Sequence, residues 1–184
     1  MAKSLNNIVM HGASGKLGNQ IVFRQGKGGQ TIIAVKPAAA RTFNPTQLTH
    51  QEAFRQAIAY AKSAKEDPTY ITKAQGTTMS AFNAAVADWF NKPEVLLIDA
   101  GDWTGSIGQT IRVKAIDDTL VTNVHVAIVD SVNNTVLEEG DATQIDGLWW
   151  SYTTTTQVSI EAQPRIVAAA QDLPGNSTNL VWQN

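Results

Sequence analysis

The chain has 184 residues, of which 43% are hydrophobic and only 16% are charged, so it is long enough for one large domain or two small ones and must cover its surface largely with neutral polar residues. A formal net charge of -2 offers no basic field for neutralising phosphates, and nucleic acid is excluded as a predicted partner. The absence of Cys excludes disulfides, thiolate metal ligands and a cysteine nucleophile.

The first residues carry one Lys and no apolar run of signal-peptide length, so we expect no signal peptide. No apolar stretch reaches the length of a membrane span, and we expect no membrane insertion. The localisation is left open by these features, because a cytoplasmic protein, a virion component and a protein exported by a non-classical route all fit them.

A glycine-rich segment follows, in which Gly12, Gly15 and Gly18 come after a short apolar stretch. This spacing resembles the nucleotide-binding fingerprint of short-chain dehydrogenases, and the resemblance implies NAD(P) binding. The residues after Gly18 favour a strand over the required crossover helix, and the next apolar run ends at Lys36 without the acidic residue expected at the ribose. NAD(P) binding through residues 12–18 is therefore kept as a lesser alternative, and we predict no cofactor.

The same region predicts a β-hairpin, with strands at residues 18–25 and 30–36 joined by a glycine-rich loop at 26–29. A two-stranded hairpin is marginal in isolation, so it needs a further sheet from its own chain or from a neighbouring copy. The predicted assembly interface consists of the apolar residues of both strands: Ile21, Val22, Phe23, Ile32, Ile33 and Val35.

Two helices are predicted in the middle of the chain. Asn44 is the expected N-cap of the first, with Pro45 in its first turn, although Thr49 and Glu52 form an alternative capping box. This helix should stop near Asp67. Its apolar stripe consists of Phe54, Ala57, Ile58, Ala61 and Ala64. The stripe of the second helix, capped by Thr77 or Thr78, consists of Met79, Phe82, Val86 and Trp89 or Phe90.

From Pro93 onward apolar residues alternate with polar ones and turn residues recur. The predicted strands are 94–99, 109–115, 122–130, 135–141, 148–155, 164–171 and 177–183. Seven short strands in this length predict an antiparallel immunoglobulin-like sandwich. The overall fold class is therefore α+β, mainly β, with an N-terminal assembly region at 1–92 and the sandwich at 93–184.

Two groups of side chains in this half are candidates for ligand binding. Outward-facing Trp103, Trp149 and Trp150 form a possible platform for sugar rings, although we expect at least one of the adjacent pair to face the core. Asp117 and Asp118, together with Asp99, Asp102 or Asp172, are candidate Ca²⁺ ligands at one end of the sandwich, because hard oxygen donors suit that ion. Capping of tight turns is the preferred interpretation of these residues, and no metal site is assigned.

Paired-carboxylate catalysis is not predicted. Glu138 and Glu139 are neighbours on one strand, so they face opposite sides, and we assign them to a solvent-exposed edge. The serines lie outside any nucleophile elbow, and the three histidines fall in different predicted elements. The chain is therefore expected not to be an enzyme.

Several motifs carry a resemblance to a largely uncharacterised bacterial and phage-associated family. They are Pro-Glu-Val at 93–95, Asp99, Trp-Thr-Gly at 103–105, the run from Gly108 to Asp118, Leu-Glu-Glu-Gly-Asp-Ala at 137–142, Trp-Ser-Tyr-Thr at 150–153 and Asp-Leu-Pro-Gly-Asn at 172–176. The resemblance extends to Thr-Gln-Leu-Thr-His-Gln at 46–51 and Arg55. It implies a glycine-rich N-terminus and a Thr-x-x-Gln helix joined to an immunoglobulin-like domain, and it transfers no activity.

These features favour a non-catalytic structural protein that assembles with copies of itself into a filament, appendage or virion, with the N-terminal hairpin adding strands to a neighbouring subunit. Other structural proteins and surface glycans are further candidate partners. The alternative is a β-sandwich module that binds glycans or proteins.

Overall fold

The computed structural model describes residues 2–4, 8–26, 29–36, 43–159, 161 and 163–183. They form an α+β structure with three helices and three antiparallel sheets. The chain divides into two compact units, residues 1–55 with 76–79 and residues 56–75 with 80–184. Separate folding of residues 1–92 and 93–184 stays a prediction. None of the helices in the described ranges is both long and apolar enough to cross a membrane.

The first unit contains a small sheet in the order β1-β4-β3-β2. Its strands are β1 (Ala2–Ser4), β2 (Gly15–Leu17), β3 (Ile21–Gln25) and β4 (Thr31–Val35). The predicted hairpin is confirmed as the central pair, since β3 and β4 run antiparallel with Phe23 opposite Ile33. Lys27 and Gly28 of its predicted loop lie outside the described residues.

This antiparallel pairing bears on the nucleotide-binding alternative. Gly12, Gly15 and Gly18 all have positive φ, at 78°, 102° and 58°, and they bend the chain into turns and into β2. No helix follows them within residues 8–26. Dinucleotide binding through such a motif needs a parallel strand-helix-strand unit, so this alternative is not supported by the local fold.

The helices are α1 (Pro45–Ala64), α2 (Pro68–Ala74) and α3 (Ala81–Phe90). The prediction of Asn44 as the α1 cap is confirmed: its Oδ1 accepts from the Gln47 N–H at 2.8 Å, and the Gln47 side chain accepts from the Asn44 N–H at 3.1 Å. The cap of α3 is Ser80, whose Oγ accepts from the Asn83 N–H, and not Thr77 or Thr78. Helix α2 was not predicted, because it has only seven residues and no long apolar stripe.

The second unit contains two four-stranded sheets, in the orders β5-β6-β10-β9 and β12-β11-β7-β8. Their strands are β5 (Glu94–Asp99), β6 (Thr110–Ile116), β7 (Val121–Asp130), β8 (Val136–Asp141), β9 (Thr143–Asp146), β10 (Trp149–Thr153), β11 (Pro164–Asp172) and β12 (Ser177–Gln183). The sequence predicted seven strands here and the structure has eight. The additional strand is β9, which is exposed at all four positions and lacks the apolar alternation by which a strand is predicted.

One hydrophobic core lies between these two sheets. Ile111 and Val113 of β6 face it from one side, while Val124, Val126 and Ile128 of β7 face it from the other, all of them 0% exposed. Their alternation with polar residues is what a half-buried antiparallel strand requires. A second cluster within this unit brings together residues of the three helices, with Ala61, Tyr70, Ala84 and Ala85 at its centre and Leu173 packed against it.

Candidate functional site

Three carboxyl groups converge where the helices meet one end of the two-sheet unit. Asp88 belongs to α3, whereas Asp117 and Asp118 follow β6. One oxygen of each lies within 4.8 Å of one oxygen of the other two. We call these three residues the carboxylate cluster. Their exposure is graded, because Asp88 is buried, Asp117 is intermediate and Asp118 is exposed.

Helix α3 directs Asp88 inward by its residue spacing. Ala81, Ala84, Ala85 and Asp88 recur at the intervals of one helical face, and the last three are 0% exposed. The small alanines let this face approach its neighbours closely, which carries the carboxyl group into the interior. The predicted stripe lay on an adjacent face, where Phe82 is only partly buried.

Two tyrosines support the buried carboxylate. The Tyr70 hydroxyl donates a hydrogen bond to Asp88 Oδ2, and the Tyr60 hydroxyl lies 2.7 Å from the Tyr70 hydroxyl. Since Tyr70 has a single hydroxyl proton, Tyr60 is the donor to Tyr70. Burial and the hydrogen bond to Asp88 raise the pKa of Tyr70, so its hydroxyl keeps its proton.

Asp117 and Asp118 differ in their partners. Asp117 Oδ2 caps its own turn by accepting from the N–H groups of Thr119 and Leu120, at 2.8 and 2.9 Å. Asp118 Oδ2 accepts from the Lys73 ammonium of α2 at 2.6 Å, which also donates to the Asp118 carbonyl and to Thr119 Oγ1. The turn after β6 is thereby tied to α2.

Two carboxylate oxygens are left without hydrogen-bond partners. Asp88 Oδ1 and Asp117 Oδ1 are both buried and unpaired. Burial raises the pKa of Asp88, although the nearby Thr119 side chain and the hydrogen bond from Tyr70 oppose the rise. Burial also acts to raise the pKa of Asp118, but hydrogen bonds from Lys73 and Asn91 outweigh it and the net pKa is lowered. A buried carboxylate oxygen without a hydrogen-bond partner lowers the stability of the fold. A bound cation or a proton on the carboxyl group would remove this penalty.

An open groove lies beside Asp118, the exposed member of the cluster. Its volume is about 460 Å³, and Asp118, Lys73 and Thr119 line it together with three residues at the start of α2 and in its middle. The lining residues from α2 are Pro68, Thr69 and Thr72. The exposed end of the cluster is therefore reachable by a small ion or molecule.

The residues of the predicted assembly interface share one small sheet, but they divide between its two faces. Ile21 pairs with Val35 and Phe23 with Ile33, which places these four on one face, whereas Val22 and Ile32 lie on the other. Leu17 of β2 pairs with Ile21 and joins the first face. We call Leu17, Ile21, Phe23, Ile33 and Val35 the apolar face.

The predicted tryptophan platform is largely internal. Trp103 and Trp150 are each 7% exposed and belong to the core between the two sheets. Successive side chains along β10 point to opposite faces, so Trp150 faces the core while Trp149 faces away from it. Trp149 is partly exposed, and the Lys114 ammonium lies 5.8 Å from the centre of its ring. Trp149 is thus the one member of the predicted group that presents a ring to solvent.

Sequence reasoning identified Asp117 and Asp118 but missed Asp88, Tyr70 and Lys73. It also paired the two aspartates with Asp99, Asp102 or Asp172, whereas the acidic partner within the described residues is Asp88. The sequence did contain a signal for Asp88. It follows Ala84 and Ala85 at helical spacing, which places its carboxyl group on the same buried face of α3. The contribution of α2 had no sequence signal, since its short helix was not predicted.

Comparison of the chain with protein-family models, with curated proteins and with solved structures finds no match. The resemblance to a bacterial and phage-associated family stays a prediction.

Proposed function

We propose that this chain is a non-catalytic structural protein that assembles with copies of itself through its N-terminal sheet, as a subunit of a filament, appendage or virion. The observation that carries the proposal is a sheet whose apolar face is partly exposed and whose described residues belong to neither cluster of buried hydrophobic side chains. Val35 is 82% exposed and Leu17 is 61% exposed, although both belong to strands.

The burial of apolar residues supports this assignment. Both clusters of buried hydrophobic residues in the described part of the chain belong to the second unit. In β3 and β4 the only fully buried residue is a polar one, Thr31, whose hydroxyl donates to the Met10 carbonyl at 2.8 Å. A small sheet gains independent stability by covering an apolar face, and a second copy of the same face is a suitable cover.

The pairing of the strands defines where strand addition takes place in this proposal. Strands β3 and β4 each already pair on both sides, so the hairpin itself has no free edge. The outer edges are β1 and β2. We assign strand addition to β2, whose residues Gly15–Leu17 are exposed and pair only with β3 in the described structure.

Low surface charge favours the same function. Charged residues make up 16% of the chain and the net charge is -2, so identical copies meet little electrostatic repulsion.

We assign this second unit to the immunoglobulin-like class. In chain order its eight strands correspond to A, B, C, C′, D, E, F and G, so one sheet has the order A-B-E-D and the other has G-F-C-C′. This order supports the assignment, since immunoglobulin-like domains divide their strands in the same way. The chain has no Cys for the inter-sheet disulfide of antibody domains, and Trp150 and Trp103 contribute to the core instead.

Substitution of the apolar face tests the proposed assembly. The full-length double variant Leu17→Asp and Val35→Asp places charges on two exposed positions, so folding should be little affected while face-to-face packing is blocked. The matched control is Val132→Asp, because Val132 is 68% exposed in the second unit. We expect light scattering and negative-stain microscopy to show large assemblies for the wild type and the control and small species for the double variant.

A deletion complements this test. Removing residues 1–36 should abolish assembly and leave the second unit folded by circular dichroism, because the core between its sheets draws on no residue before Val95. A monomeric wild type at all concentrations, or assemblies of unchanged size in the double variant, would contradict the proposed function.

A further inference from the structure

We propose that the carboxylate cluster of Asp88, Asp117 and Asp118 is a binding site for a divalent cation, Ca²⁺ by the chemistry of its donors. The proposal is independent of the N-terminal sheet, because all three residues lie in the second unit.

The spacing of the oxygens fits a single ion. Ca²⁺ binds oxygen ligands at roughly 2.4 Å, so two ligands on opposite sides of the ion are at most about 4.8 Å apart. The three carboxylate oxygens of the cluster lie within 4.8 Å of one another. Separations of this size let all three residues share one ion after a small adjustment of the side chains.

The unpaired oxygens supply a second observation that points to a ligand. Asp88 is 0% exposed, and its Oδ1 has no hydrogen-bond partner although its Oδ2 is held by Tyr70. Asp117 Oδ1 is also buried and unpaired. A single proton on Asp88 would bridge one pair of oxygens and leave another carboxylate oxygen unsatisfied, whereas a cation contacts every member of the cluster.

The local charge also matches a divalent ion. When all three carboxyl groups are ionised, the Lys73 ammonium neutralises one of them and a charge of -2 remains. Hydrogen bonds to Tyr70 and to backbone N–H groups orient Asp88 and Asp117, as outer-shell contacts do in metal sites. The open groove lined by Asp118 leaves the exposed member of the cluster accessible to an ion from solvent.

The aromatic residues beside the cluster allow a direct binding assay with Tb³⁺, which replaces Ca²⁺ in oxygen sites and luminesces when nearby aromatic rings absorb light. Tyr70 contacts Asp88, and the Tyr60 and Trp89 ring centroids are 5.4 Å apart. We expect metal-free full-length protein to sensitise Tb³⁺ emission saturably, Ca²⁺ to compete with it, and Ca²⁺ to raise the Tm.

The variant Asp117→Asn removes the charge of the ligand but keeps the turn, because the Asn side chain can still accept hydrogen bonds from the two N–H groups of the turn. Asp130→Asn is its matched control: Asp130 Oδ1 caps a different turn by accepting from the N–H groups of Val132 and Asn133. We expect Asp117→Asn to weaken Ca²⁺ and Tb³⁺ binding by at least about tenfold. Asp130→Asn should bind as the wild type does.

Asp88→Asn provides a second variant, since Asn can still accept from Tyr70, and circular dichroism checks that each variant is folded. We expect it to abolish the Ca²⁺-dependent rise in Tm. The proposal is overturned if neither Ca²⁺ nor Tb³⁺ gives a saturable response, or if both cluster variants bind like the Asp130→Asn control. A response to Mg²⁺ alone would overturn the assignment to Ca²⁺.

Discussion

Glu138 on β8 is a buried carboxylate that anchors the segment following β10. Its side chain is mostly enclosed, the residue being 7% exposed. Oε1 accepts from the Tyr152 hydroxyl at 2.9 Å and from both the N–H and the hydroxyl of Thr155, and Oε2 accepts from the Thr156 N–H at 3.3 Å. We expect Glu138→Ala to remove this anchor and destabilise the second unit.

The loss of stability in Glu138→Ala depends on the donor groups that lose their acceptor. The Tyr152 hydroxyl belongs to a residue that is 7% exposed, so its lost partner costs about 1–3 kcal/mol. Thr155 is exposed, and its donors regain water. With the loss of one charge-assisted hydrogen bond included, the free energy of unfolding should fall by about 3 kcal/mol. Glu138→Gln keeps an acceptor and loses only the charge, so it should cost about 1–2 kcal/mol.

The pH dependence has a definite sign. Burial acts to raise the pKa of Glu138, but the hydrogen bonds from Thr155 and Tyr152 outweigh it, and the net pKa lies below the ordinary value of 4.5. A depressed folded-state pKa gives stability that is fully present above the unfolded-state pKa and is lost as the pH falls through the folded-state pKa. The difference in stability between wild type and Glu138→Gln should therefore shrink in acid.

Urea unfolding followed by tryptophan fluorescence measures these differences, from neutral pH down through the acid range. Glu139→Gln is the control, because Glu139 is the next residue of the same strand and its side chain is 60% exposed. It should stay within about 0.5 kcal/mol of the wild type. A Glu138→Ala variant as stable as this control, or a difference that grows in acid, would refute the reasoning.

Two further predictions concern the same unit. The hydrogen bond to Asp141, 2.9 Å from the ring, raises the pKa of His125 above 6.5 against the effect of burial. This pair therefore stabilises the fold below the unfolded-state pKa and loses its effect as the pH rises through the folded-state pKa; Asp141→Asn should lower the His125 pKa in an NMR titration. A Cβ on Gly140 would lie 2.8 Å from Tyr152 Cε2, so Gly140→Ala should lower stability by about 1–3 kcal/mol in thermal unfolding, whereas Gly101→Ala, with no atom within 4 Å, should not.

The sequence by itself determined most of the β-strands and the entry to α1. Alternation places Val124, Val126 and Ile128 on one buried face, and this periodicity is local, so it is readable without the fold. The Asn44 cap is equally local, since it depends on a partner three residues away. Strand β9 was not predicted because none of its side chains is buried, and it is a strand only through its backbone pairing with β10.

The tertiary structure alone decided which polar residues share a site. Asp88 and Asp117 are 29 residues apart in the chain, and a helix must dock on the end of a sheet before their carboxyl groups meet. Glu138 likewise looks like a surface residue in the sequence, yet its partners come from the segment after β10. Periodicity reports the face on which a side chain lies, but the neighbour that satisfies a buried charge is set by long-range packing, which no local pattern encodes.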